Sequence, residues 1–438
     1  MKYAMNFFPL REVKRFDLAR MPRPVSWYLR PIAWLLSFPA VWRRHTKINK
    51  VNMEGIKTPY LLLCNHNAFY DFMVATVATF PHQAFYVVAV DGFIGREWLM
   101  RRIGCIGKRK FTNDIALIRH LKTVVDRGKI AAIYPEARYS LCGTKAVLPE
   151  SLGKLVKRLD VPVVTLITYG HHINAPFWNT RTRGVRTKAT MTRIITREEV
   201  STMSVEQINR KINQAFEYDD FAWQRENKIP VLYKDRARGL HKVLYQCPAC
   251  RTEYRMDSGG AAIWCNHCSK RWTMSEYGEL KALEGETHFA HIPDWYEWER
   301  KQVRREVEEG RYCFQGNATV RMLPNSKGFI DFGKAVLTHN MDGFTLEGNH
   351  DGTSYTLNIP AQSVYSCHIE YNYGKYKRDC VDLNTLNDSY WVFPEGDDFS
   401  VTKISLATEE LFIIKNYKLS RRIIAVAGNP QHIPVSGL

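Results

Sequence analysis

The sequence predicts three folded parts in series: an α/β domain with helices flanking a sheet, a small four-cysteine module, and an all-β domain closed by a C-terminal helix. Three observations carry this reading. From about residue 51, short apolar runs alternate with helical stretches, the pattern of an α/β domain. Two C-x-x-C pairs, Cys247/Cys250 and Cys265/Cys268, are separated by fourteen residues. Beyond Cys313, short alternating runs are divided by the turn signals "NSKG", "HNMDG", "GNHDG" and "NYGKY". A chain of 438 residues is too long for one ordinary core, so several domains are expected.

In the first part, strands are predicted at 60–64, 85–89, 130–134 and 161–168, with helices at 72–79, 98–103 and 114–127. Gly128 reads as the stop of the last of these. The stretch 293–312 is charged and reads as one helix opening on Pro293 and Asp294. In the last part, Ile404, Leu406, Leu411 and Ile414 form a helical stripe. The expected divisions are an N-terminal arm at 1–50, the α/β domain at 51–240, the cysteine module at 241–282, a linker helix at 283–312 and the β-rich domain at 313–438.

Charge is unevenly placed. The net charge is +18, and residues 1–50 hold eleven Lys/Arg against two acids, whereas residues 311–438 hold twelve against thirteen. The segment "VSWYLRPIAWLLSFPAVWRRH" (25–45) mixes Trp27, Tyr28, Trp34 and Trp42 with Arg30, Arg43 and Arg44, and Pro31 and Pro39 are expected to break it. Aromatic and apolar groups beside arginine suit a bilayer surface, so anionic membrane lipids are the expected partner of this arm. The alternative is a helical hairpin packed on the next domain. No run of eighteen apolar residues suggests a crossing helix, and no secretory pattern opens the chain. With no export signal, the cysteine pairs point to metal in a reducing compartment rather than to disulfides. The expected location is therefore cytoplasmic, peripheral on the inner face of the cell membrane.

The stretch "LLLCNHNAFYDF" (61–72) leaves an apolar run and at once presents His66, with Asp71 five residues on. Inside one helix these side chains would point about 140° apart. They meet if His66 lies on the turn leaving the strand and Asp71 in the first turn of the next helix. Bonded to Asp71, one imidazole nitrogen is held as a donor and the other is free to take a proton, which makes a general base for a hydroxyl. The plainer reading is a helix-capping pair. Cys64, at the end of the apolar run, reads as a small core residue.

"NHNAFYDF" resembles the first motif of the glycerolphosphate and lysophospholipid acyltransferase family, Asn-His, four residues, Asp. Further segments resemble later motifs of that family in order: "GCIGKRK" (104–110), "YPEARYS" (134–140) and "VPVVTLITYG" (161–170). The resemblance covers roughly residues 50–230 and is to 1-acylglycerol-3-phosphate acyltransferases in particular. It implies transfer of an acyl group from an acyl-CoA or acyl-carrier-protein thioester to a hydroxyl of a lysophospholipid or glycerol phosphate. His66 would be the base and Asp71 its orienter. The acceptor would attack the thioester directly, and the chain has no Gly-x-Ser-x-Gly elbow that would suggest an acyl-enzyme.

The same resemblance implies that Arg109 or Lys110 contacts the acceptor phosphate, and that Glu136 contacts the acceptor's hydroxyls or orders the site. Aligned without a gap, Ala137 and Arg138 fall at the family's Gly-Thr and Tyr139 at its arginine. Either the turn shifts so that Arg138 still reaches the phosphate, or the acceptor is held differently. The altered third motif keeps a rival reading open: a catalytically degenerate acyltransferase scaffold that recruits partners to membrane.

Cys247, Cys250, Cys265 and Cys268 have the spacing of a zinc ribbon. Four thiolates close a tetrahedral shell and leave no open position, so the zinc is expected to be structural. A module of this size cannot build a core alone and would draw its folding energy from the metal. The ribbon is an insert between two other domains, so a structural or docking role, with a protein partner reached through it or the β domain, is expected in preference to nucleic acid. The final part, about seven strands and one helix, resembles the pleckstrin-homology-like group in architecture. Lys375, Lys377 and Arg378 lie on a hairpin there.

Overall fold

The computed structural model describes residues 13–427, with side chains through residue 416. The first twelve residues of the expected arm and the last eleven of the β-rich region lie outside the described residues. The chain enters through helix α1 (Leu29–Arg43), which continues through Pro39. The expected break does not occur. Pro31 falls in the first turn, where an amide hydrogen has no helical acceptor to lose, and the helix lies on the domain surface with only Ser37 and Val41 buried.

Strand β1 (Lys47–Val51) follows, then β2 (Leu61–Cys64), helix α2 (Asp71–Ala78), β3 (Ala84–Ala89), α3 (Glu97–Arg102) and β4 (Ile106–Lys108). After these come α4 (Ile115–Asp126), β5 (Ile130–Ile133), α5 (Ser151–Leu159), β6 (Val163–Tyr169), α6 (His171–Asn174) and β7 (Lys188–Ile195). Three short helices finish this part: α7 (Arg197–Thr202), α8 (Val205–Ala215) and α9 (Asp220–Glu226). The seven strands make one sheet in the order β1-β7-β6-β2-β5-β3-β4, in which only the β6–β7 pairing is antiparallel.

Side chains alternate across a strand, so a sheet buried on both faces needs apolar residues throughout. β2 meets this demand: Leu61 and Leu63 join Phe85 and Ala131 on one face, while Leu62 and Cys64 join Val164 on the other. Helix α4 starts on Asp114, whose carboxylate accepts from the amides of Ala116 and Leu117. It stops at Gly128, which takes the left-handed conformation (φ +68°) that a C-terminal cap requires.

The cysteine module contains four short antiparallel strands, β8 (Met256–Gly259), β9 (Ala262–Cys265), β10 (Arg271–Met274) and β11 (Leu280–Ala282), ordered β11-β10-β9-β8. Helix α10 (Ile292–Glu308) packs on it: the Trp295 indole donates to the Gln246 carbonyl at 2.9 Å and meets the Trp272 ring edge-on at 5.0 Å. The last part has seven strands, β12 (Cys313–Leu323), β13 (Ile330–Asn340), β14 (Gly343–His350), β15 (Thr353–Pro360), β16 (His368–Tyr373), β17 (Arg378–Asn384) and β18 (Ser389–Pro394), then helix α11 (Val401–Ala427). They form one antiparallel sheet in the order β15-β14-β13-β12-β18-β17-β16.

These parts share apolar contacts. One continuous cluster joins Leu141 and Trp178 of the first part, Trp272 of the module, Trp295 of α10, Val320 of β12 and Leu411 of α11. Among the described residues no helix is long and apolar enough to cross a membrane.

Candidate functional site

β2 delivers the chain to the carboxyl rim of the sheet, and α2 begins at Asp71, so His66 occupies the intervening turn. Asn65 anchors the departure from the strand: its side-chain carbonyl accepts from the Thr168 amide at 2.8 Å and its amide donates to the Thr168 carbonyl at 3.0 Å. The turn then wraps around Asp71. Oδ2 accepts from the backbone amides of Asn67 (2.7 Å) and Ala68 (3.0 Å), and His66 Nδ1 stands 3.1 Å from the same oxygen. On the other side, His171 Nδ1 makes a short contact with Oδ1.

Burial alone would push the Asp71 carboxyl up. The hydrogen bond and charge of His171, and then of His66, outweigh it and hold the group well below the usual carboxylate range. An ionised Asp71 only accepts, so the Nδ1 of each imidazole carries the proton. That leaves His66 Nε2 as the basic position. The Asp71 side chain is 1% exposed and that of His66 is 24% exposed, so the carboxylate is sealed while the ring reaches the surface. The His66 ring lies between Tyr134 and Tyr139, with centroids 4.4 and 4.3 Å away.

Glu136 is buried beneath this turn. Its Oε2 accepts from the His66 amide at 2.7 Å, and its Oε1 accepts from the Ala146 amide at 2.9 Å and the Tyr218 hydroxyl at 3.2 Å. The same hydroxyl reaches Asn67 Oδ1 at 3.2 Å. Burial pushes Glu136 up to about 7 in spite of these donors. Its carboxylate is occupied in tying the His66 turn to the loop after β5. Cys64 is fully buried and its thiol is pushed well up by desolvation, which removes the thiolate a nucleophile needs.

The structure brings His66, Asp71 and Glu136 together. It places the three expected phosphate contacts elsewhere. Arg109 is 1% exposed and donates to the carbonyls of Leu323 and Pro324, both at 3.0 Å, and to the Ser389 hydroxyl at 2.8 Å. Lys110 lies between Asp91 (3.2 Å) and Asp382 (3.3 Å). Arg138 pairs with Glu409 of α11 at 2.8 Å. The expectation that Arg109, Lys110 or Arg138 faces an acceptor phosphate is corrected on this point: the last part of the chain supplies a partner to each of the three, and Asp91 of the first part also holds Lys110. A buried cation must have such partners.

Three participants were not anticipated. His171, Tyr218 and Tyr134 all touch the His66–Asp71 turn or the His66 ring. The "GHH" immediately after the apolar strand 163–169 was the available signal for His171, because polar residues at the carboxyl ends of strands gather at ligand sites in open α/β sheets. Tyr218 lies 151 residues from Asn67 and has no local signature.

Cys247, Cys250, Cys265 and Cys268 bring their sulfurs within 4.8 Å of one another, a group able to hold a metal ion. Cys247 and Cys265 are buried, and His267 is exposed beside them. The face of α1 away from the domain carries Trp42 (80% exposed), Leu35 (73%) and Leu36.

Residues 45–169 match the family model described as Acyltransferase. Among solved structures, the 1-acyl-sn-glycerophosphate (LPA) acyltransferase PlsC from Thermotoga maritima is similar to this chain at 13% identity, over 43% of this chain and 77% of that one, with a TM-score of 0.34. No curated protein matches the sequence.

Proposed function

Residues 45–169 form a domain of the acyltransferase family, and from that premise we propose that the protein moves a fatty acyl group from a CoA or carrier-protein thioester to a hydroxyl of a lysophospholipid or glycerol phosphate. The observation that carries this reading is the His66–Asp71 pair, 3.1 Å apart at the carboxyl rim of the sheet, with the carboxylate sealed and the imidazole reachable.

In the proposed step, His66 Nε2 takes the proton of the acceptor hydroxyl as its oxygen attacks the thioester carbonyl. The new C–O bond forms, the C–S bond breaks, and the proton passes from His66 to the departing thiolate. Asp71 stabilises the imidazolium and fixes its tautomer. Glu136 sets the position of the His66 backbone and stays out of proton transfer. The acceptor's phosphate meets groups other than Arg109, Lys110 and Arg138.

The exposed aromatic and apolar face of α1 supports a peripheral seat on the inner face of the cell membrane, where a lysolipid acceptor resides. For the four-cysteine group we propose structural zinc: four thiolates in a closed cluster suit that ion and leave no position for substrate. The strand order and closing helix of the last part support a pleckstrin-homology-like assignment. The test is acyl transfer from acyl-CoA to lysophosphatidate and glycerol 3-phosphate by the full chain, against His66→Ala. Transfer by the wild-type protein and a loss of at least a hundredfold in the variant is the expected result. Equal rates would remove His66 as the base. No transfer to any acceptor by the wild-type protein would favour the scaffold reading.

A further inference from the structure

A concavity lies at the same rim of the sheet as His66. It is a groove of about 1110 Å³ between the start of β1, the loop leading into β7 and the segment after α9. Its walls carry Lys47, Arg181, Arg186, Lys188 and Lys228, and no Asp or Glu lines it. Among the described residues none of these five cations has an ion-pair partner. That contrasts with Arg109, Lys110 and Arg138, which are all engaged. Arg183, also in the groove, is structural: it donates to the carbonyls of Ile173 (3.4 Å) and Arg236 (3.0 Å). Clustered unpaired cations raise one another's energy unless an anion joins them.

The position follows from strand order. In the register, Lys47 lies beside Lys188, and Lys188 beside Tyr169 at the end of β6. β6 is the neighbour of β2, which leads to His66. At about 4.8 Å per strand, the cations on β7 and β1 lie roughly 10–15 Å along the rim from β2. This separation decides between substrates. In glycerol phosphates the phosphate and the nearest hydroxyl are a few bonds apart, roughly 5 Å, too close to bridge His66 and the groove. In coenzyme A about a dozen bonds separate the thioester sulfur from the diphosphate, roughly 15 Å when extended. The groove also offers aromatic surface beside its charges: the Arg181 guanidinium lies over the Tyr233 ring at 5.0 Å, and Trp223 lines the same concavity. Such a pairing suits a nucleotide base next to its phosphates.

We propose that this groove binds the phosphate groups of a coenzyme A thioester, placing the acyl carbonyl at His66. The inference rests on the acyl-transfer reading above and identifies the donor as a nucleotide thioester. The test measures coenzyme A binding to the full chain by titration calorimetry, together with steady-state kinetics on acyl-CoA and lysophosphatidate. In the triple variant Arg181→Ala, Arg186→Ala, Lys188→Ala, the Kd for coenzyme A and the KM for acyl-CoA are expected to rise at least tenfold. The acceptor KM is expected to stay within twofold. Lys47→Glu, on a different strand, is expected to shift the same two constants in the same direction. An unchanged coenzyme A Kd in both proteins overturns the proposal. So does an unchanged coenzyme A Kd accompanied by weaker binding to vesicles of anionic phospholipid, which would make the groove a headgroup site, or by weaker binding of an acyl-carrier protein. Binding is read without turnover, so failure of His66→Ala to abolish transfer would strike the base assignment and leave the groove result standing.

Discussion

Arg138 Nη2 donates to Glu409 Oε1 at 2.8 Å across 271 residues of sequence, and the two side chains are 3% and 0% exposed. Arg300 of α10 takes the other oxygen of Glu409 at 2.7 Å, and the Ser366 hydroxyl donates to Oε1. The segment 134–140 is thereby tied to both late helices. Glu409→Gln would leave two guanidinium groups buried beside a neutral amide. The expected cost is about 3–5 kcal/mol of stability, read by urea unfolding. In kinetics, the acceptor KM should hold steady wherever the variant remains folded, since Arg138 is turned to Glu409.

Asp71 receives two imidazoles and two backbone amides. Asp71→Asn keeps the shape but removes the charge that orients His66. The expected result is a fall in kcat of roughly 10²–10⁴-fold with little change in acceptor KM. His171→Phe removes only the far partner of the carboxylate. It should cost about 1–3 kcal/mol of stability, from a buried oxygen left without its donor, and reduce kcat less than Asp71→Asn.

Metal analysis of the purified chain is expected to find one zinc per molecule, held by the four cysteines. Cys265→Ser should abolish it. Because Trp272 of the cysteine module packs on Trp295 of α10, and α10 carries Arg300 to Glu409, the damage should extend beyond the module. Chelation is therefore expected to lower the melting temperature of the main unfolding transition rather than to release a separate small one.

Two buried histidines each favour the folded state more at neutral than at acid pH. Burial pushes His172 and His339 down to about 3 from an ordinary value of 6.5, with Arg183 adding to the effect at His172. A base with a depressed folded-state pKa binds protons more readily when unfolded. Its contribution is therefore complete above pH 6.5 and is lost as the pH falls towards 3. Each withheld proton corresponds to as much as about 5 kcal/mol at the lower limit. Glu136 and Asp220, which burial raises to about 7, act in the opposite sense, so the histidine contribution is read by difference. In urea unfolding between pH 7.5 and 4.5, His339→Phe, on a ring already stacked on Phe344 at 3.8 Å, should lose less stability towards acid than the wild-type protein.

The parts of the fold that declared themselves in the sequence are those whose cause is local. β2 and β5 are buried on both faces and read as unbroken apolar runs, β6 as one interrupted only by Thr165 and Thr168, and the cysteine spacing is set by a knuckle of a few residues. The seven strands and helix of the last part were marked by their turns. β1 was not legible, because "KINKV" lies at the sheet edge with Lys47, Lys50 and Val51 exposed and carries no apolar face. At the site, the His66–Asp71 pair could be read because both residues belong to one turn. The fate of the cations could not: Arg109 answers to Leu323, 214 residues away, and Lys110 to Asp382, 272 away. Charge at those positions is visible in the sequence, but the partner that neutralises it is not.

The Tyr218 hydroxyl spans Asn67 and Glu136, yet it lies forty-nine residues past Tyr169, where the family match ends. A fragment cut at that border would keep His66 and lose the rivet beneath it. It would also lose β7 and every late carboxylate that engages Lys110 and Arg138. Trimming to the recognisable motifs is expected to give an insoluble product, because the packing extends from α1 to α11.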